Sequence, residues 1–511
     1  MEGAMDQNHH RRDTIAPVDL LIVGGGINGA GIARDAAGRG LGVLLVEQDD
    51  LAAHTSSAST KLIHGGLRYL EQYAFRLVRE SLVERKRLLR LAPHIVRPIE
   101  FVLPHRKGGR PAWMIRLGLF LYDHAGGRKA LPASFGIGLP GSRHGAGLDP
   151  AITRGFVYSD CRVDDSRLVI LNALDAAERG AEIRTRTRLI AARRDGGLWL
   201  ATLLDHASGR EKTVQARAIV NAAGPWVGAL LGRIDGTGPV RPPRLVKGSH
   251  IIVPRLFEGE HAYILQNPDR RVVFAIPYEG AFTLIGTTDS AWTGDPSSPA
   301  ADAEEIAYLC DSVNRYLTRP TTPADVVHSY SGIRSLYDDG SDRPSQVTRD
   351  YVLSLDGGGA PQLLSVFGGK ITTYRRLAEH ALDKLAPFLA PMSGRWTAAK
   401  PLPGGDIADV DSFIADVRRR WSFLPETTAV RLAHAYGSRI DDVMGEARCL
   451  AGLGEDFGGG LTAREVDYLV SREWARTAED ILWRRTKLGL HVGPDSVARL
   501  AAYVAGERIH G

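Results

Sequence analysis

Val18–Leu51 reads VDLLIVGGGINGAGIARDAAGRGLGVLLVEQDDL, and the order of its parts decides the fold. Four apolar residues, Leu20–Val23, predict a buried parallel strand. Gly24, Gly26 and Gly29 follow in the spacing G-x-G-x-x-G, and Ala30–Gly38 continues as a helix. A second strand, Val43–Val46, ends at Glu47, 18 residues beyond Gly29. The first glycine permits a tight turn, the second lets backbone approach a pyrophosphate, and the third lets the helix pack on the strand. The helix N-terminus offers N–H groups and partial positive charge to phosphates, with Ile27 and Asn28 in its first turn. Glu47 is placed to accept hydrogen bonds from both ribose hydroxyls, and its charge repels a 2′-phosphate. A glycine-rich turn that binds nothing would explain the glycines but not Glu47. The stretch therefore reads as a dinucleotide-binding βαβ unit.

The fingerprint alone does not choose between dinucleotides, but the residues after it do. In place of another βα unit the chain runs through SSASTKLIHGGLRYLEQY, Ser56 to Tyr73. Ser56, Ser57, Ser59, Thr60 and Lys61 offer small donors beside a loop, and His64 precedes Gly65-Gly66, where backbone can lie against a flat ring. That arrangement suits a large, fixed cofactor. Arg68 and Tyr69 close the stretch.

The rest of the chain sets bounds. At 511 residues and 44% hydrophobic it can bury a large core divided among several domains. Net charge is +5, from 64 basic and 59 acidic residues, too small an excess to argue for nucleic acid. Basic runs such as Arg418–Arg420 and Arg484–Lys487 sit on helices without interleaved aromatics, unlike stacking readers of single strands. Cys161, Cys310 and Cys449 are far apart, with neither a disulfide framework nor CxxC metal spacing, as in a reducing compartment. No apolar segment precedes the first strand, so no secretory signal is expected. The most apolar window, Ala112–Asp123, is too short to span a bilayer.

Eight motifs then occur in order: GGGINGAGIARDAAGRG (24–40), TSSASTKLIHGGLRYLE (55–71), VLPHRKGGRPAWMIRLGLFLYD (102–123), KGSHIIVP (247–254), IGTTD (285–289), YSGIRSL (330–336), TRDY (348–351) and SVFGGKITTYRRLAEHA (365–381). With them the chain resembles the FAD-dependent, respiratory sn-glycerol-3-phosphate dehydrogenases of bacteria, from about residue 18 to its carboxyl end. The resemblance implies an α/β fold: an FAD-binding, Rossmann-like domain of the glutathione-reductase and D-amino-acid-oxidase type, an inserted antiparallel-sheet substrate domain, and a C-terminal helical domain. The expected boundaries are a tail over 1–14, FAD-binding pieces at 15–95, 155–245 and 330–390, substrate- and membrane-facing insertions at 96–154 and 246–329, and a helical cap over 401–511, after the Pro/Gly step at 401–405. Strand-period alternation after residue 246 supports the insertion. VQARAIVNAAGPWVG (214–228) reads as a strand with a second close approach to the nucleotide at Ala223, Gly224 and Trp226. By the same resemblance Gly286, Thr287, Thr288, Asp289, Gly332, Gly368, Gly369, Lys370, Ile371 and Thr372 touch cofactor. The helix after Gly368-Gly369 aims its N-terminal dipole at the flavin, with Lys370 at its start.

The implied reaction removes hydride from C2 of sn-glycerol 3-phosphate to FAD and yields dihydroxyacetone phosphate. Arginine forks suit a dianionic phosphate. Arg334 and Arg349 are the family's phosphate arginines by resemblance, and Arg68 and Tyr69 face substrate. Something must take the C2 hydroxyl proton: His250, with a pKa near operating pH, is one candidate, and Lys370 and His64 are its rivals. Electrons would pass to ubiquinone or menaquinone, which places the enzyme peripherally on the cytoplasmic face of the cell membrane. Phe75–His94 carries six Arg/Lys between Arg76 and Arg90, and with Trp113, Met114, Leu117, Leu119, Phe120 and Leu121 it could enter the headgroup region. A basic helix packed on its own domain is the plainer reading of that run. A homodimer is implied by resemblance alone. The competing flavoenzyme reading is an amine or 2-hydroxy-acid oxidase, whose carboxylate substrate needs one arginine.

Overall fold

The computed structural model describes residues 17–67, 74–106, 110–127, 131–236, 243–337, 350–356 and 361–506. Strand Val18–Val23 is buried over its last four residues and runs parallel to Val43–Val46 on one side and to the end of Glu211–Asn221 on the other. Gln362–Phe367 and Glu182–Arg184 extend this parallel core outward. The first half of Glu211–Asn221 pairs instead, antiparallel, with Leu198–Asp205, so one strand serves two geometries in an eight-stranded sheet. Helices Ile27–Gly38, Asp165–Glu178 and Tyr374–Leu385 pack together on one face around Leu20, Ile22, Ala33, Leu168, Leu171, Leu377 and Leu382. Short residues along the first helix let the other two come close.

The second sheet has ten strands, with Arg244–Pro254 between Phe282–Gly286 and His328–Leu336. It is antiparallel apart from Ala262–Gln266, which runs parallel to Val96–His105. Three strands that the sequence places in the nucleotide domain lie in the second sheet, the short Leu62–Ile63, paired with Arg154–Val163, among them. Arg154–Val163 pairs with Val96–His105, and His328–Leu336 with Arg244–Pro254, so both belong to the second sheet although 155–163 and 330–336 were assigned to the nucleotide domain. The physical cause is burial: Arg154–Val163 is covered on both faces, and a strand without a polar outer face does not say which sheet it enters.

The C-terminal region is helical, with Val410–Arg420, Glu426–Tyr436, Ala463–Arg472 and Pro494–Val504 around a core of Trp421, Leu432, Tyr436, Val466, Leu469 and Ile481. The basic helix Phe75–Leu91 packs on its own domain. Arg85 pairs with Asp160, Arg87 with Glu84 and Arg76 with Asp350, while Glu84 also takes Arg375 at 2.7 Å. Among the described residues no helix is long and apolar enough to cross a membrane.

Candidate active site

The carboxyl ends of the parallel strands release four loops toward one cavity of about 1980 Å³. These are Gly24–Asn28, Glu47 onward, Ala222–Trp226 and Gly368–Thr372, the position where open α/β sheets bind ligands. Gly24 has φ +116°, and a Cβ there would stand 2.4 Å from the Ala222 carbonyl oxygen, so its first role is to let two strands approach. Glu47 accepts from the Gly25 N–H at 2.6 Å and the Asp49 N–H at 2.9 Å, one on each oxygen, which leaves a second lone pair on each. Burial raises its carboxyl pKa against those two donors. Asn28 lines the cavity and donates to the Gly368 carbonyl at 3.0 Å. The helix N-terminus, the remaining Glu47 lone pairs and the glycine-edged loops fit a bound FAD.

Most predicted cofactor residues line this cavity: Gly24, Gly26, Ile27, Asn28, Glu47, Ser56, Ser59, Thr60, His64, Gly66, Ala223, Gly224, Trp226, Thr287, Thr288, Asp289, Gly332, Gly368, Gly369, Lys370, Ile371 and Thr372. Five turn elsewhere, each for a physical reason. Gly29 supports the Gly24 turn, where a Cβ would meet the Gly24 carbonyl oxygen at 1.9 Å. Ser57 Oγ donates to the His54 carbonyl. Lys61, buried, donates to Asp165 at 2.9 and 3.0 Å and to the Ser57 carbonyl at 2.8 Å. Gly65 N–H donates to Tyr122 Oη at 2.8 Å. Gly286 makes room for the His250 ring, which a Cβ would strike at 2.0 Å. The long helix begins at Tyr374 rather than at Lys370, so Lys370 belongs to the turn before it.

The second sheet contributes side chains. His250 and Arg334 sit on adjacent strands, with His250 opposite Tyr330 and Arg334 opposite Val246, and both line the cavity. Thr60 Oγ1 lies 3.0 Å from His250 Nε2, and Tyr330 stacks on the ring at 4.9 Å. Arg334 Nη2 donates to the Thr288 carbonyl at 3.2 Å and Nη1 lies 3.6 Å from Asp289, which leaves the side chain 38% exposed. The expectation of a near-neutral histidine pKa fails: burial first, then the charges of Lys61 and Arg334, push His250 down to about 3. His64 is also lowered, chiefly by burial, with Lys370 adding to it. Arg68, Tyr69 and Arg349 lie outside the described residues.

Sequence reasoning missed several lining residues. His54 meets Trp226 edge to face at 4.6 Å and pairs with Asp49 at 2.8 Å. Thr187, Arg188 and Leu189 line the cavity from the start of a strand, and Arg106, Arg110, Arg271 and Arg315 border it. Isolated arginines at strand and helix ends form no motif, so only the excess of cations over Glu47, Asp289 and Asp295 on the lining marks the site as anion-binding.

Comparisons with known proteins agree with this geometry. The family model described as FAD dependent oxidoreductase matches residues 19–375, and the C-terminal domain of alpha-glycerophosphate oxidase matches 395–507. The chain is 56% identical to a glycerol-3-phosphate dehydrogenase of Pseudomonas aeruginosa, over 99% of both chains. It is 53% identical to a D-erythritol 1-phosphate dehydrogenase of Brucella abortus, over 95% of this chain and 97% of that one. The crystal structure of the glycerol-3-phosphate dehydrogenase from Bacillus halodurans complexed with FAD superposes with a TM-score of 0.75 at 28% identity, covering 97% of this chain and 92% of that one.

Proposed function

The chain belongs to the family of FAD-dependent glycerol-3-phosphate dehydrogenases, with FAD as its cofactor, and on that premise we propose that it oxidises sn-glycerol 3-phosphate at C2 to dihydroxyacetone phosphate and passes the electrons to a membrane quinone. The observation that carries this reading is that Arg334, Lys370 and His250, from three separate segments, all line the cavity built by the nucleotide loops. FAD, when bound, supplies the two-electron acceptor for the C2 hydride. Arg334 and Lys370 hold the substrate phosphate, and the family resemblance adds Arg68, Tyr69 and Arg349 as substrate contacts. His250, neutral above about pH 3, stands ready to accept the C2 hydroxyl proton, and Thr60 Oγ1, 3.0 Å from Nε2, fixes the ring. A dianionic substrate offsets the nearby cations and raises the proton affinity of the ring when it is needed.

Helix Ala112–Ala125 supports the membrane part of the reading. Trp113, Met114, Leu117, Phe120 and Leu121 are exposed on it, and Ile115 of the same helix lines the cavity. The helix suited to enter lipid therefore also borders the flavin site, as a quinone acceptor requires, on the cytoplasmic face of the bilayer. Flotation with anionic vesicles, lost in Trp113→Asp with Phe120→Asp, tests it; flotation unchanged by both substitutions overturns it.

The Brucella relative favours a second reading, a longer polyol phosphate as substrate. One experiment separates the two. Anaerobic flavin absorbance is recorded before and after glycerol 3-phosphate, D-erythritol phosphate, glycerol or a simple 2-hydroxy acid. Bleaching by glycerol 3-phosphate at the lowest concentration supports the proposal. Preference for the four-carbon phosphate supports the second reading, and bleaching only by the hydroxy acid refutes both.

A further inference from the structure

The segment Glu473–Lys487 buries Ala475, Ile481 and Leu482 in the C-terminal helical core and reaches its charged side chains into the nucleotide domain. Its middle, Asp480–Arg485, is a π-helical turn, a geometry that recurs at functional sites. Arg484 Nε and Arg485 Nη1 each donate to Asp50 Oδ2 at 2.7 Å, and Arg485 Nη2 donates to Oδ1 at 2.8 Å. Asp50 is buried and starts the loop that carries Ser56, Ser59 and Thr60 to the cavity. Trp483 stacks on His328, at the start of the strand that bears Tyr330 and Arg334, with ring centres 4.1 Å apart.

Lys487 closes the other end of the same loop. Its Nζ lies 3.4 Å from Asp165 Oδ1, donates to Ser166 Oγ, and donates to the Trp483 carbonyl at 3.1 Å. Asp165 is fully buried and also receives Lys61 Nζ at 2.9 Å and Ser59 Oγ at 2.7 Å. Lys61 and Lys487 both hold left-handed backbone, φ +59° and +60°, a conformation that a lysine keeps only where its surroundings impose it. Thr60 sits between Ser59 and Lys61, and its hydroxyl meets His250.

We propose that Lys487 is a positioning residue of the active site: through Asp165 it fixes Ser59–Lys61, and thereby the contact of Thr60 with the His250 ring. The C-terminal region is then part of the flavin site rather than a cap beside it. The kinetic arm of the test rests on the glycerol 3-phosphate reading, whereas the flavin arm does not.

The test uses full-length holoenzyme with Lys487→Met, Lys487→Arg, Thr60→Ala and the Lys487→Met/Thr60→Ala double variant. Anaerobic flavin reduction by glycerol 3-phosphate is followed across pH, and FAD affinity and the visible circular dichroism of bound flavin are measured without substrate. Lys487→Met is expected to slow reduction per bound flavin about tenfold at saturating substrate, to shift the pH profile, and to alter the flavin dichroism. Lys487→Arg restores most of the rate, and the double variant is no slower than the slower single one, because both act through one contact. A lower melting temperature with normal reduction per flavin and unchanged dichroism overturns the proposal, as do additive losses in the double variant. If Lys487→Met fails to fold, Lys487→Gln against Thr60→Ala is read on the same additivity. If glycerol 3-phosphate does not reduce even the unaltered enzyme, the substrate reading fails and the dichroism and FAD affinity decide this proposal by themselves.

Discussion

The parallel sheet and the second sheet face one cavity with different kinds of atoms. The parallel sheet reaches it through loop backbone at Gly24–Gly26, Ala222–Gly224 and Gly368–Gly369, and through the N-terminus of the helix that starts at Ile27. The second sheet reaches it through side chains set by strand register, among them His250, Arg334 and Phe274. Backbone holds a constant partner, a cofactor with the same phosphates and rings each time. Side chains on strands can be exchanged without refolding anything, which is where substrate choice belongs. One consequence is that damage to the two sheets should be separable.

The sharpest break comes on the backbone side. Gly24→Ala places a Cβ 2.4 Å from the Ala222 carbonyl oxygen at φ +116°, so purified protein should carry little or no FAD and melt lower by several degrees. Retained flavin absorbance would mean that the strand approach is looser than described. On the side-chain side, His250→Ala should keep its FAD yet slow anaerobic flavin reduction about 10²–10⁴-fold with substrate affinity little changed. An unchanged reduction rate removes His250 as the proton acceptor. Arg334→Ala should weaken glycerol 3-phosphate binding about ten- to a hundredfold, the scale of one lost charge-assisted contact, and leave the flavin spectrum as it was. A changed spectrum would show that the second sheet also shapes the cofactor.

The smallest effect concerns acid. Burial lowers His250 and His94 to about 3 and His434 to about 4, against an ordinary value of 6.5 in the unfolded chain. Their folded-state pKa values are depressed, so the stability they confer is complete above about pH 6.5 and is lost as pH falls through 6.5 toward 3–4. Each should remove about 1–2 kcal/mol between pH 6.5 and 5. Melting temperatures at those two pH values read the sum. His94, buried beside Gly404 where the C-terminal region begins, tests whether that interface matters: His94→Leu should flatten the dependence. A slope that does not change with this variant leaves the acid sensitivity with the other buried histidines, His250 and His434 among them.

The same division explains what could be read from residues alone. Backbone sites announce themselves, because only glycine fits certain turns, and a strand, Gly24, Gly26, Gly29 and Glu47 in order leave few alternatives. The placement of His250 against Arg334 depends on pairing between strands more than seventy residues apart in sequence, and no local pattern encodes it. Arg154–Val163 and His328–Leu336 were given to the wrong sheet for the same reason. Charge counting does not reveal the partners of Phe75–Leu91 and Arg484–Lys487: Arg85, Arg484 and Arg485 are matched to buried carboxylates contributed by remote segments. The neighbours of Lys61 suggest a flavin contact, while its left-handed backbone and Asp165 turn it inward.

The interleaving of the two sheets has a consequence for biosynthesis. Val18–Val23 leaves the ribosome early, but one of its neighbours is Glu211–Asn221, and the sheet is not complete until Gln362–Phe367 arrives. Between them the chain delivers most of the second sheet, whose strand Arg244–Pro254 in turn waits for His328–Leu336. Neither sheet can close before the other is largely made, and Asp50 and Asp165 find Arg485 and Lys487 only near the end of synthesis. Such distant pairings make folding slow and leave apolar strand edges open to aggregation in the meantime. The nascent protein should therefore depend heavily on chaperones, and acquisition of FAD should be a late event that follows release of the full-length chain.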